Sequence, residues 1–84
     1  MSSGPVLRVS VDELAWHAGH GLYTHGGTPF TGVAFEIGRA GTLEWETEYR
    51  DGVKDGLQRG WHTDGSPAAE GTFRSGGLHG TYRE

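Results

Sequence analysis

A pattern of glycines and aromatic residues recurs in this chain at a spacing of 24 residues. The segment YRDGVKDG begins at Tyr49, and FRSGGLHG begins 24 residues later at Phe73, with glycines at the same two positions. The same step carries GVAFEIGRAG, from Gly32, onto GLQRGWHTDG, from Gly56. A fixed period over most of a chain indicates stacked supersecondary units, each of which buries its apolar side against its neighbour.

The period is looser toward the N-terminus. A copy that starts at Tyr23 fits only with two extra residues around 28–30, and nothing before Tyr23 follows the pattern. We therefore divide the chain into an N-terminal tail, strand and loop (1–22) and repeats with a period of about 24 residues (23–84), the last of them incomplete. At 84 residues the chain makes one domain, whose small core is either marginally stable or shared with a partner.

Composition excludes several classes of protein. The chain has no cysteine, which rules out disulfides, thiolate metal sites and a cysteine nucleophile, and makes a reducing, cytoplasmic compartment the expectation. No apolar run reaches the length of a membrane span, and the N-terminus lacks the pattern of a secretory signal. The net charge of −4 argues against nucleic acid and anionic membrane as partners, and favours a basic protein or peptide.

The repeats alternate apolar and polar residues with a period of two, which predicts β-strands. The clearest example is residues 43–49. Asp51-Gly52 and Asp64-Gly65 favour hairpin turns, because these residue types accept positive φ. We predict an all-β fold: an antiparallel meander of β-hairpin repeats with six or seven strands in a single curved sheet.

The spacing Tyr49-x-x-Gly52-x-x-x-Gly56, followed by an aromatic at Trp61, resembles the bacterial variant of the MORN repeat. With its segments GTPFTG, GTLEWETEYRDG and GLQRGWHTDG, the chain is similar to small bacterial proteins of the YwqK-type antitoxin family. The resemblance covers residues 22–84. It implies MORN-like hairpin repeats and an antitoxin-like or immunity-like protein that binds a partner protein and neutralises it.

The segment HAGHGLYTH contains the candidate metal ligands His17, His20 and His25. Three imidazoles form a facial metal site if a loop folds them together. No carboxylate with a suitable ligand spacing lies nearby, so surface histidines in a glycine-rich loop are the favoured interpretation. A small metal-dependent enzyme is kept as an alternative function.

A row of carboxylates is the main candidate for binding a partner. It consists of Glu44, Glu46 and Glu48 on one strand, with Glu70 on a neighbouring strand. Alternate side chains of a strand project from one face about 7 Å apart, whereas glycoside hydrolysis needs two carboxylates across a cleft. A solvated face that keeps the protein soluble and a docking face for a basic partner both stay open at this point.

The remaining residues carry no sign of catalysis or of a cofactor. No serine lies in a nucleophile elbow, and no glycine run precedes a helix that would bind phosphate. The aromatic residues are predicted to form most of the core: Trp16, Phe35, Trp45, Tyr49, Trp61 and Phe73.

A single sheet has two faces and demands no deep pocket, so a protein-interaction module is the leading function. Binding to a phospholipid surface is the alternative suggested by MORN repeats in larger proteins, and the acidic net charge disfavours it. The last predicted strand, residues 79–84 with Tyr82, forms a sheet edge that could pair with the partner or with a second copy as a homodimer. From the repeat, Gly52 and Gly76 are expected to respond alike to substitution.

Overall fold

The computed structural model describes the backbone of residues 7–83 and the side chains of residues 7–77. The described chain contains nine strands and one short 3-10 helix: β1 (Arg8–Ser10), the 3-10 helix (Val11–Glu13), β2 (Ala15–His17), β3 (Leu22–His25), β4 (Thr28–Pro29), β5 (Gly32–Ile37), β6 (Leu43–Arg50), β7 (Val53–Trp61), β8 (Pro67–Arg74) and β9 (Gly77–Arg83). The prediction of an all-β fold is confirmed. Within residues 7–83, no helix has the length and apolar character needed to cross a bilayer.

The strands form two sheets, so the prediction of a single curved sheet is wrong. Strands β5 to β9 make an antiparallel meander, and β1 joins the edge at β5 in parallel orientation. Strands β2, β3 and β4 form a separate antiparallel sheet. The break follows from two residues of the first repeat: Pro29 has no N–H to continue a ladder, and Phe30 leaves the ladder to enter the core with 1% of its surface exposed.

The parallel strand β1 is fixed at its start by backbone contacts. Val33 donates its N–H to the Leu7 carbonyl at 2.8 Å. A side chain at Gly32 would overlap that same carbonyl oxygen, so the close approach of the two strands requires glycine. Ser10 then caps the 3-10 helix, and its backbone N–H donates to Glu13.

The 24-residue spacing recurs in the backbone of the meander. The turn between β5 and β6 is closed by the Gly38 N–H, which donates to the Thr42 carbonyl at 3.0 Å. The turn between β7 and β8 is closed by the His62 N–H, which donates to the Ser66 carbonyl at 2.8 Å. A β-bulge likewise recurs, with Glu44 as the extra residue of β6 opposite Glu36 and Ile37, and Ala68 as the extra residue of β8 opposite Gly60 and Trp61. Equivalent residues of successive repeats therefore adopt the same local structure.

The two-residue turns at the opposite end of the sheet repeat as well. Asp51 and Gly52 have φ of 51° and 89°, and Ser75 and Gly76 have φ of 52° and 91°. Positive φ at both positions defines the type I′ hairpin turn, whose twist matches that of the strands. The β3–β4 hairpin has positive φ at both of its turn residues too, at 26–27. We call 26–27, 51–52 and 75–76 the three hairpin tips.

Backbone hydrogen bonds join successive hairpins at their tips. Gly52 donates its N–H to the Phe30 carbonyl, which follows the first hairpin, at 2.8 Å. Gly76 donates its N–H to the Lys54 carbonyl, which follows the second tip, also at 2.8 Å. The small sheet of β2, β3 and β4 therefore contains the first repeat, whose strands β3 and β4 are short, and this repeat stacks on the second through the tips.

The core lies between the small sheet and the inner face of the meander, near the tips. It consists of four buried residues and three partly buried ones: Val9, Phe30, Ala34 and Tyr49, with Val11, Leu14 and Tyr23 packed against them. Burial raises the pKa of the Tyr49 phenol above its ordinary value, and the nearby Tyr23 adds to the effect.

Of the six aromatic residues predicted to be core, only Tyr49 is buried. Trp16 is 59% exposed on β2, and the other four are half-buried. The core is confined to the tip end of the sheet because only there does a second layer cover the inner face. Trp45 illustrates the rest of that face: its indole lies flat against the backbone of Gly60, where an added Cβ would sit 2.8 Å from the ring.

Candidate functional site

Most of the predicted carboxylate row lies on the outer face of the meander, the face turned away from the core, and two of its four charges are paired with arginines. Glu46 forms an ion pair with Arg8 of β1. The Arg8 guanidinium also lies over the Phe35 ring, 4.8 Å from its centroid. Glu46 therefore belongs to a cation–carboxylate–aromatic cluster at the β1 side of this face.

Two strands further across, Glu70 is paired in the same way. Its Oε2 accepts a hydrogen bond from Nε of Arg59 at 3.2 Å, and both side chains are about half exposed. Glu46 is also the register partner of Arg59 across β6 and β7. Arginine and glutamate thus alternate on β1, β6, β7 and β8, with Phe35 of β5 between Arg8 and Glu46. We call Arg8, Glu46, Arg59 and Glu70 the charge ladder.

Glu48 has a structural role at the bulge between β6 and β7. Its Oε1 accepts the backbone N–H of Leu57 at 2.7 Å. A side chain at Gly56, where φ is 112°, would collide with the same carboxylate. The second glycine of YRDGVKDG is favoured mainly by this φ, which side-chain-bearing residues rarely adopt, and a substitution would also displace the Glu48 carboxylate. Glu44 is exposed and lies against the Gly38 turn.

The fifth predicted binding residue, Tyr82, lies outside the residues whose side chains the structure describes. Its strand, β9, forms one edge of the six-stranded sheet and pairs with β8 from Arg74↔Gly77 to Glu70↔Arg83. The edge position expected for this strand is therefore observed at the level of the backbone.

The three histidines do not come together. The rings of His17 and His20 stack with centroids 4.5 Å apart, and the His20 backbone N–H donates to Nδ1 of His17 at 3.2 Å. His25 instead places its Nε2 3.5 Å from Oε1 of Glu13. Among the described residues, no group of three or more histidine, aspartate or glutamate side chains has an arrangement that could hold a metal ion.

Sequence reasoning missed a pair of open clefts on either side of Trp61. One, of about 410 Å³, is lined by Arg59, Gly60, Trp61, Pro67, Ala68, Ala69 and Glu70. The other, of about 520 Å³, is lined by Thr42, Leu43, Trp61, His62, Thr63, Asp64 and Gly65. The signal available in the sequence was the repeat itself, because Trp61 occupies the position of the exposed Ile37 one period earlier.

The Asp64 carboxylate beside these clefts is held by its own turn. It accepts hydrogen bonds from the Ser66 hydroxyl at 2.6 Å and from the Ser66 backbone N–H at 2.9 Å. These bonds lower the pKa of the Asp64 carboxyl, so the group is ionised at neutral pH.

Comparisons of the chain with models of protein families, with curated proteins and with solved structures gave no match. The functional conclusion therefore comes from the geometry and charge of the molecule. The described residues form an open sheet with open clefts and with arginine–glutamate pairs on its outer face. This arrangement is suited to contact with a macromolecule.

Proposed function

We propose that this chain is a protein-interaction module of the antitoxin or immunity type, which binds a partner protein in the cytoplasm and neutralises it. The observation that carries the proposal is the outer face of the meander. The core, the 3-10 helix and the small sheet all lie on the inner side, and Leu57 is 37% exposed at the centre of the outer face. The face combines this exposed leucine with the charged side chains of the ladder, as interfaces between proteins commonly combine apolar and polar contacts.

The charge expected of the partner is set by the net charge of the whole chain more than by the carboxylate row. Glu46 and Glu70 are neutralised by arginines, and Glu48 is engaged by a backbone N–H. The net charge of −4 still produces a field that attracts a basic protein and raises its association rate. The charge ladder supplies polar specificity at contact, because a partner must match alternating signs along one line.

The proposal is tested in two steps. A tagged chain is used to isolate a partner under native conditions, and the partner is identified by cross-linking to residues of the outer face. The identified partner is then expressed in bacteria with and without this chain. We expect the partner alone to arrest growth and co-expression to restore it.

A pair of matched variants tests whether the partner contacts the outer face. Leu57→Asp introduces a charge on the outer face, and His20→Asp introduces the same charge in the exposed turn between β2 and β3. We expect Leu57→Asp to abolish rescue and His20→Asp to retain it. A partner that does not impair growth, or rescue that is unchanged by Leu57→Asp, would contradict the proposed function or its assignment to this face, respectively.

A further inference from the structure

Apolar side chains gather at the end of the sheet opposite the hairpin tips, away from the core. We call this group the distal band: Ile37, Leu43, Trp61, Pro67 and Ala68. Ile37 pairs with Leu43, and Trp61 pairs with Pro67, across neighbouring strands. Leu43 and Trp61 line one cleft, while Trp61, Pro67 and Ala68 line the other. Trp61 is therefore a ridge between two apolar depressions.

The repeat explains why apolar residues lie here. Ile37 and Trp61 each lie opposite the recurring bulge, whose extra residue is Glu44 of β6 in one case and Ala68 of β8 in the other. A bulge interrupts the ladder and bends the strand that carries it. Both residues lie outside the core: Ile37 is 49% exposed, and Trp61 is half-buried. The burial of these side chains is incomplete in the chain as it stands.

The polar groups around the clefts are already engaged with one another. Arg59 pairs with Glu70, and Asp64 accepts two hydrogen bonds from Ser66. A sugar stacked on an indole also needs free donors and acceptors for its hydroxyls, because unpaired polar groups are costly to desolvate. Apolar lining with satisfied polar neighbours favours an apolar side chain as the occupant.

The charge of the clefts distinguishes a foreign partner from a second copy. Their lining carries the carboxylates Asp64 and Glu70 against the single cation Arg59. A second copy of this chain would bring a further net charge of −4 to an already acidic surface. A segment that carries lysine or arginine is attracted instead.

We propose that the distal band docks an extended segment of the partner protein, with two apolar side chains at alternate positions astride Trp61 and a cationic side chain beside Asp64. Side chains at alternate positions of an extended segment lie about 7 Å apart on one face, a spacing suited to straddling one indole. Tryptophan anchors of this kind are frequent among residues that dominate binding energy. The proposal rests on the proposed function, whose partner it characterises.

The test uses the peptide Lys-Leu-Thr-Leu-Thr, blocked at both ends, and the full chain labelled with nitrogen-15. The three indole N–H resonances of Trp16, Trp45 and Trp61 report on three separate places in one spectrum. We expect a saturable shift of the Trp61 resonance with Trp16 unchanged. Peptides with serine in place of both leucines, or with glutamate in place of lysine, are expected to bind at least tenfold more weakly.

Matched substitutions test the site itself. Ala68→Glu places a charge in one cleft and is expected to weaken the peptide at least tenfold, whereas Ala15→Glu, an equal change on the exposed strand β2, leaves it unchanged. The spectra also report whether each variant is folded. No saturable shift of Trp61 at millimolar peptide, or equal affinity in Ala68→Glu, would overturn the proposal.

Other occupants give distinct results. If the Trp61 resonance shifts with a chitin tetrasaccharide and not with the peptide, the ligand of the distal band is a sugar. If it shifts when the protein alone is concentrated, the ligand is a second copy of the chain. Either result overturns the proposal. If the isolated partner is neutralised equally well by Ala68→Glu, the distal band is not its docking site although the proposed function stands. If no partner is neutralised by the unmodified chain, the proposed function itself fails.

Discussion

Separate replacement of Gly52 and Gly76 by alanine should destabilise the protein to different extents, although the two glycines are equivalent in the repeat. Both occupy the second turn position with φ near 90°, and both donate a hydrogen bond to the preceding hairpin. Their surroundings differ. An added Cβ at Gly52 would lie 2.8 Å from both the Leu22 Cβ and the Tyr23 carbonyl oxygen, whereas at Gly76 the nearest atom among the described residues is the Val53 Cβ at 3.9 Å.

The magnitudes follow from two separate terms. Positive φ costs alanine about 1–2 kcal/mol at either position. Overlap with packed atoms costs about 1–3 kcal/mol more, and this second term applies to Gly52 alone, where one of the overlapping atoms is backbone. We expect a loss of about 1–2 kcal/mol for Gly76→Ala and about 2–5 kcal/mol for Gly52→Ala. A domain of this size has a total stability of about 4–13 kcal/mol, so the second loss is a large share.

Urea unfolding followed by far-ultraviolet circular dichroism measures both changes. With a slope of about 1 kcal/mol per molar urea for a small domain, a difference of about 2 kcal/mol between the variants separates their midpoints by about 2 M. Gly65→Ala is the control, since φ there is 90° and an added Cβ would have no atom of the described part of the chain within 4 Å; it should match Gly76→Ala. Equal losses at Gly52 and Gly76 would refute the packing of the small sheet against the second tip.

Three further predictions follow from the core and the outer face. Phe30→Ala should cost about 3–5 kcal/mol in the free energy of unfolding, while Trp16→Ala at an exposed position should change it by less than about 0.5 kcal/mol; equal urea midpoints for the two would contradict the position of the core. Because the folded-state pKa of Tyr49 is raised, the unfolded chain loses this proton first, so stability should fall as pH rises above about 10 and should fall less in Tyr49→Phe; identical pH profiles would show that the phenol is not desolvated. Arg8→Ala should cost no more than about 1 kcal/mol, because its pair with Glu46 is exposed; a larger loss that persists in high salt would assign the contribution to packing on Phe35.

The turns of the meander could be predicted from sequence because their chemistry is local. Asp51-Gly52 specifies a type I′ turn by itself, and the 24-residue period transfers the same turn to Ser75-Gly76. The repeat alone predicts an equal response of the two glycines, whereas the structure predicts an unequal one, because their neighbours come from other parts of the chain. Nothing in the local pattern shows that Leu22 packs on one tip and not on the other.

The parallel pairing of β1 and the burial of Phe30 are likewise non-local. A three-residue strand can join any free edge, and its partner is chosen by the fit at Gly32 and by the burial of Val9 against Ala34. Pro29 marks an interruption of the repeat in the sequence. The sequence does not show that Phe30 enters the core after this interruption, because that depends on the position of the second layer.

The residues of the candidate site also divide into those that the local sequence pattern places and those that depend on distant parts of the chain. The alternation in β6 places Glu46 and Glu48 on one face, with Phe35 and Val33 as their register partners, whereas Glu44 lies at the bulge and has no register partner. The pairing of Glu70 with Arg59 was not accessible from the sequence, because counting back from the turn at 62–66 sets Arg59 opposite Ala69, and the bulge at Ala68 moves the partner to Glu70. The pairing of Glu46 with Arg8 was not accessible either, since it depends on the position of β1.

The hydrogen bonds between hairpin tips set a rule for how such a chain can change in length during evolution. Each joins a glycine N–H to a carbonyl 22 residues earlier, once at Phe30 and once at Lys54. Duplication of a whole period would add one more hairpin with every bond in register. An insertion of a single residue within a strand would exchange the inner and outer faces from that point to the next turn, and would turn charged residues toward the core. The tips therefore favour growth by whole duplicated units over growth by single residues.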